Sequence, residues 1–177
     1  MSARLLRTLL VCLCLVAPLA SGCSLREDES GGDEILFVRE EADGPTIHLL
    51  PDEGEEARRL VAGDSPRWSP DGKLVAFARR PANTPRLGSN AELWVMAPDG
   101  GGARRLTPKG GHMAWLPDGN RLAVGLHDGS IHVWDAGSGE LLRRFRSEDH
   151  IFSVVASPDG AVLLSASGKR RIEIWPL

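Results

Sequence analysis

The stretches "WSPDG" (68–72), "WLPDG" (115–119) and "ASPDG" (156–160) write one turn three times. A catalytic loop needs a single copy, whereas a repeating structural unit needs one copy per unit. In each turn Pro presets φ, Asp can bond nearby backbone amides, and Gly takes the left-handed position that closes a tight hairpin. The runs that follow, "KLVAFA", "RLAVGL" and "AVLLSA", are short, apolar and bounded by turn residues. That pattern predicts buried strands rather than helices. In "SIHVWD", Ile131 and Val133 share one face while His132 and Trp134 share the other, as the two-residue period of a strand requires.

The flanks repeat as well. "IHLLPDEGEEARRL" (47–60) lies 46 residues before "LWVMAPDGGGARRL" (93–106), and "PDGNRLAVGLHDGSIHVWD" (117–135) lies 41 before "PDGAVLLSASGKRRIEIWP" (158–176). Trp68 and Trp115 are 47 apart. Such periods fit units of four short strands, the blade of a β-propeller. Fourteen strands are expected, near 35–39, 46–50 and 57–61; 66–69, 74–79, 92–96 and 103–107; 112–116, 121–126, 130–135 and 141–146; and 151–156, 161–166 and 171–176. The expected fold is therefore all-β, a partial β-propeller of four-stranded antiparallel blades. It amounts to about three and a half blades, lacking the innermost strand of the first and the outermost of the last. Closed propellers use about four to eight blades, and an open arc leaves an apolar sheet face bare. Three arrangements meet that difficulty: a homodimer whose two chains complete one ring, a small incomplete ring, or a longer gene of which this chain is a part.

Composition excludes little else. With 21 Lys+Arg against 24 Asp+Glu in 177 residues, no basic footprint points to nucleic acid. The N-terminus reads as an export signal: Arg4 and Arg7 precede an apolar run from Leu9 to Leu19, too short to span a bilayer, and small residues lead to Cys23. Leu19-Ala20-Ser21-Gly22-Cys23 resembles the lipobox of bacterial lipoproteins. That resemblance implies cleavage after Gly22, lipidation of Cys23 and a membrane attachment through the lipid. Cys12 and Cys14 leave with the signal, so Cys23 would be the one mature cysteine, without a disulfide partner. Removal of Arg4 and Arg7 takes the cationic count from 21 to 19 and makes the mature chain more acidic. The expected domains are a cleaved signal (1–22), a lipidated cysteine with a flexible acidic tether (23–34), and the propeller (35–177). Ser24 after the lipid cysteine implies an outer-membrane or periplasmic-face location if the source has two membranes.

The repeat itself resembles two related families. "SPRWSPDGKLVAFARR…AELWVMAPDGGGARRLT" (65–107) is similar to the TolB-like propeller repeat. "LAVGLHDGSIHVWDAGSGELLRRF" (122–145) and "IFSVVASPDGAVLLSASGKRRIEIW" (151–175) resemble WD repeats, including the Trp134-Asp135 dipeptide. Three features depart from the WD pattern: no Gly-His pair precedes Ile151, Val124 replaces the strand serine, and Gly168-Lys169 stand where the preceding repeat has Asp128. The hydrogen-bonded tetrad of a WD blade is thus expected to be incomplete. The five tryptophans (68, 94, 115, 134 and 175) are expected to wedge between blades.

No catalytic constellation, cofactor motif or metal site is read from the sequence. There is no Gly-x-Ser-x-Gly elbow, and "SASGKR" (165–170) lacks the rest of a phosphate loop. The histidines are not at ligand spacing; His127 and His132 read as a surface pair. The turn aspartates need no role beyond turn chemistry. Arg58-Arg59, Arg104-Arg105 and Arg143-Arg144 recur on the strand expected outermost in each blade. There they either form a stripe for an anionic envelope polymer or keep sheet edges from pairing. The insertion "RRPANTPRLGSNA" (79–91) offers a long loop on a rigid scaffold. Candidate partner contacts are Arg86, Asn90, Trp94, Arg104 and Arg105. The expected function is a non-enzymatic envelope lipoprotein whose propeller is a scaffold for protein partners. The alternatives are a propeller module of a larger hydrolase and a binding module for an anionic polymer.

Overall fold

The structure is a computed structural model that describes residues 23–27, 33–51, 56–81, 91–168 and 170–177. The signal segment 1–22, Arg86 and Asn90 lie outside them. The described residues hold fifteen strands in four sheets, each a simple antiparallel meander in which sequence neighbours are spatial neighbours. The first sheet is β1 (Cys23–Glu27), β2 (Asp33–Glu41), β3 (Gly44–Leu50) and β4 (Arg58–Ala62). The second is β5 (Asp64–Trp68), β6 (Val75–Arg79), β7 (Glu92–Met96) and β8 (Arg104–Thr107). The third is β9 (His112–Trp115), β10 (Arg121–Gly125), β11 (Ser130–Asp135) and β12 (Leu141–Arg146). The fourth has three strands, β13 (Ile151–Ala156), β14 (Val162–Ser167) and β15 (Ile172–Pro176).

All fourteen expected strands are present, with ends within two residues of those read from the pattern. The fifteenth, β1, corrects the sequence reading. Cys23–Glu27 pair antiparallel with Asp33–Phe37, so the segment 23–34 is not a tether throughout and the first sheet has its fourth strand. The pairing is a backbone ladder, which requires neither an apolar run nor turn residues in the added strand.

The chain divides into two compact units between Arg67 and Trp68. In the first, Ile35, Leu36, Ile47 and Leu49 are buried. In the second, two apolar clusters account for the order of the sheets. One joins Ala76, Leu93 and Val95 of the second sheet to Leu122, Val124, Met113, Trp115 and Trp134 of the third. The other joins Ala114, Ala123, Ile131 and Val133 of the third sheet to Ile151, Val154, Leu163 and Trp175 of the fourth. The third sheet thus buries one face against the second and the other against the fourth, which is blade packing. Trp134 and Trp175 wedge between blades, as the repeat predicts.

The repeated turns are hairpin chemistry. In the first, the Ser69 hydroxyl donates to Asp71 Oδ1 at 2.7 Å and accepts from the Leu74 amide at 3.0 Å. In the third, Ser157 donates to Asp159 at 2.5 Å and accepts from the Val162 amide at 3.0 Å. The second has Leu116 in place of that serine, fully buried, and Asp118 accepts from the Asn120 and Arg121 amides at 3.0 Å. Gly72, Gly119 and Gly160 have φ of 69°, 73° and 68°, the left-handed region where a Cβ is penalised.

The incomplete tetrad is visible atom by atom. Trp175 Nε1 donates to Ser165 Oγ at 2.9 Å, whereas Trp134 Nε1 is buried without a partner. Val124 occupies the register position of Ser165, so the third blade holds its tryptophan by packing alone. Ser165 is 1% exposed, and losing its hydroxyl would strand a buried indole N–H. Ser165→Ala should therefore cost about 1–3 kcal/mol in urea unfolding and shift the Trp175 indole N–H resonance, whereas Val124→Ala, with no polar bond to lose, should destabilise only through the apolar contacts it removes beside Trp134.

Candidate functional site

Outer strands β4, β8 and β12 each place an arginine opposite an aromatic or imidazole ring of the preceding strand. The pairs are His48 with Arg59, Trp94 with Arg105, and His132 with Arg144. Alternation along the strand sends the second arginine of each doublet to this face and the first to the other.

In the first unit, His48 is buried, stacks on Phe37 at 5.4 Å and lies 3.1 Å from Glu41 Oε1. Arg59 Nε donates to the other oxygen of Glu41 at 3.1 Å. The Arg59 hydrogen bond, opposed by desolvation, is the largest influence holding Glu41 below the usual carboxylate range. In the second sheet, Arg105 Nη1 donates to Glu92 Oε1 at 2.6 Å and Trp94 Nε1 donates to Glu92 Oε2 at 3.0 Å. The Arg79 guanidinium lies 5.0 Å from the Trp94 ring centroid, a cation–π distance. The Arg105 hydrogen bond is the main cause of the lowered pKa of Glu92. Trp94 and Arg105 are thus brought together. Arg104 is directed elsewhere, its guanidinium donating to the Ala136 and Gly137 carbonyls of the next blade.

The third sheet carries a different arrangement. A cleft of ≈510 Å3 lies beside β12, lined among others by Lys109, Asp128, His132, Trp134 and Arg144. Asp128 accepts from the Ser130 hydroxyl at 2.5 Å and the Ser130 amide at 3.0 Å, with Lys109 Nζ at 3.4 Å. Those bonds hold Asp128 at a pKa of about 2, the Ser130 hydroxyl contributing most. His132 packs edge-on against Trp134 with centroids 6.2 Å apart. Burial first, and the Arg144 charge second, lower its pKa, so the ring is neutral at pH 7. Its Nδ1 is buried and has no hydrogen-bond partner among the described residues. His127 instead meets His112 edge-on at 6.3 Å, so the expected His127–His132 surface pair is two separate contacts. Among the described residues, no group of three or more His, Cys, Asp or Glu is placed to hold a metal ion.

Sequence reading missed this cleft. Its signal was a difference between repeats: Glu92 in "ELWVM" is matched by Ser130 in "SIHVW", while the arginine across the sheet is kept. Apart from Trp94 and Arg105, the candidate contacts are not assembled into one site among the described residues.

Four-stranded meanders packed face to face, with Trp between them, are the blades of a β-propeller. The chain belongs to the family described as "Anaphase-promoting complex subunit 4 WD40 domain", which matches residues 68–157, about half of the sequence. "WD domain, G-beta repeat" matches residues 139–176. Curated relatives include the "Uncharacterized peptidase YuxL" of Bacillus subtilis (44% identical over 62 residues, 33% of this chain and 9% of that protein). "WD repeat-containing protein 1" of Mus musculus is 41% identical over 63 residues, 33% of this chain and 10% of that protein. The "U5 small nuclear ribonucleoprotein 40 kDa protein" of Bos taurus is 35% identical over 60 residues, 33% of this chain and 17% of that protein. The match therefore spans between about a tenth and a sixth of these relatives' length. Among solved structures, Kuenenia stuttgartiensis hydrazine synthase superposes with a TM-score of 0.64 at 15% identity, over 88% of this chain and 58% of that one. That likeness is one of fold.

Asp128 gives the site a measurable acid limit. Its pKa falls from 3.8 to about 2 on folding, so its stabilising contribution is present above the unfolded value and is lost as pH drops through the folded one. The midpoint of thermal unfolding should fall more steeply between pH 4 and pH 2 in the natural chain than in Asp128→Asn, a difference readable by circular dichroism melts across that window.

Proposed function

We propose that this chain is a non-enzymatic lipoprotein of the bacterial envelope whose propeller is a scaffold for protein–protein interaction. One observation carries the reading. Val155, Ile172 and Ile174 of the fourth sheet are 52%, 72% and 64% exposed. In the repeat register they correspond to Ala114, Ile131 and Val133 of the third sheet, which pack against the fourth, the latter two at 0% and 1% exposure. The same face is a blade interface in one sheet and open in the next. Its natural occupant is another blade, and burying each isoleucine there would contribute about 2 kcal/mol. Closed symmetric homo-oligomers are the commonest assembly, so the occupant is a second copy of this chain, and the contact continues the series of blade interfaces already formed. Acylation at Cys23 would hold the assembly at the membrane through about 0.8 kcal/mol per buried methylene, and the lipobox-like stretch supports it.

A second reading has its own support. The 44% identity to an uncharacterized peptidase of Bacillus subtilis favours a propeller that accompanies a hydrolase domain, with substrate gating as its task. A neighbouring reading frame encoding a Gly-x-Ser-x-Gly hydrolase domain, whose peptidase activity changes when this chain is added, would move the assignment there.

The scaffold reading makes two measurements decisive. Labelled palmitate should be incorporated by the natural chain in a bacterial host and not by Cys23→Ser. By light scattering, the Cys23→Ser chain should have the mass of two copies, and adding Ile172→Asp with Ile174→Asp should reduce it to one without changing the β-sheet circular dichroism. A Cys23→Ser chain that is monomeric with Ile172 and Ile174 intact rules out the second copy as occupant.

A further inference from the structure

We infer that the cleft beside β12 binds a carboxylate borne on an apolar group, with Arg144 as its anchor. The inference rests on the third sheet and the Thr107–Lys109 segment that follows β8, and is independent of the open face of the fourth.

The repeat supplies an internal comparison. Arg59 and Arg105 each meet a carboxylate that also bonds the ring across the sheet: Glu41 bridges Arg59 and His48, and Glu92 bridges Arg105 and Trp94. In the third sheet the ring and the arginine remain, as His132 opposite Arg144, but the bridging acid does not. Ser130 stands in the strand position of Glu92, two residues before the ring. The carboxylate lining the cleft, Asp128, is already bound by Ser130 and Lys109. Among the described residues Arg144 forms no ion pair, and His132 Nδ1 has no hydrogen-bond partner. Where the second sheet holds Glu92, and Glu41 reaches the ring from β2 in the first, the third holds a cleft of ≈510 Å3, within the size range of small-ligand sites.

Its chemistry selects the ligand. Lys109, Arg144 and Arg146 line it against the single charge of Asp128, so the field favours an anion. Guanidinium pairs with carboxylate through two parallel hydrogen bonds. Pro108, Leu141 and Phe145 complete the wall, which suits an apolar body behind the acid. Two sources share that chemistry: a free aryl-alkyl carboxylate, and an acidic residue beside an aromatic one in a peptide. A carboxylate seated by Arg144 would offset the guanidinium charge that, after burial, depresses the His132 pKa, making that ring the reporter.

The test uses the full chain carrying Cys23→Ser, with the His132 ring followed by NMR. Probes are 3-phenylpropionate, its neutral amide, acetyl-Phe-Glu-amide and acetyl-Phe-Gln-amide. At least one acid should shift the His132 resonances saturably and raise its pKa, while the matching amide should not. Arg144→Gln should weaken that binding at least tenfold, and Ser130→Glu, which rebuilds the missing acid, should abolish it. Arg144 is exposed on an outer strand, so its variant reports even if Ser130→Glu fails to fold. The acid that binds identifies the source. Acids and amides that bind alike, an indifferent Arg144→Gln, or no response to any probe would overturn the inference. Ile172→Asp with Ile174→Asp should leave acid binding unchanged, so failure here and failure of the scaffold reading are separable.

Discussion

An antiparallel sheet that is apolar on both faces is stable in water only when both faces are covered. The second unit of this chain is organised by that constraint. Ala76, Leu93 and Val95 close one side of the third blade, and Ile151, Val154 and Leu163 close the other. The hairpin turns, with Gly at positive φ and Asp capping the amides, set the strands at the spacing this stacking requires. The charged residues are pushed to the outer strands, where they also discourage edge pairing. Where stacking stops, at Ile172 and Ile174, the apolar residues stay although nothing among the described residues covers them.

Packing of that kind tolerates variation in polar detail. The fourth blade keeps the Trp175–Ser165 hydrogen bond, and the third replaces the serine with Val124 and leaves Trp134 Nε1 unpaired. The turn at Pro117 works with Leu116 in place of serine because Asp118 and Gly119 suffice. The arginine on each outer strand shows the same freedom with a different consequence. Closed by Glu41 and by Glu92, the ring–arginine pairs are internal ties; left open at Arg144, the same pair becomes a cleft with cationic walls. Blade interfaces constrain shape and apolarity, whereas polar positions near the rim can drift from structure to recognition.

Much of this was legible in the chain because its causes are local. Turn chemistry and two-residue alternation are properties of neighbouring residues, so strands such as Ser130–Asp135 and Ile151–Ala156 could be delimited to the residue. β1 was not legible: "CSLRE" has neither an apolar run nor flanking turns of the repeated kind, and its strand state comes from the backbone edge of β2. The candidate contacts fared unevenly for the same reason. Arg104 and Arg105 are equivalent in the sequence; their neighbours make one a tie to the Ala136–Gly137 loop and the other a partner of Glu92.

By itself, the sequence determined the repeat, the all-β class and the places of the hairpins, since each follows from residues within a few positions of one another. Tertiary structure decided which polar groups are satisfied and which face is left open. Glu92 and Arg105, or Ser130 and Arg144, lie 13 and 14 residues apart in the chain; the pairing of adjacent strands brings each couple together, and the exchange of Glu for Ser then makes one an ion pair and leaves the other a cleft. Ile131 and Ile172 read alike in their strands, and burial separates them because, among the described residues, the fourth sheet covers the first and nothing covers the second.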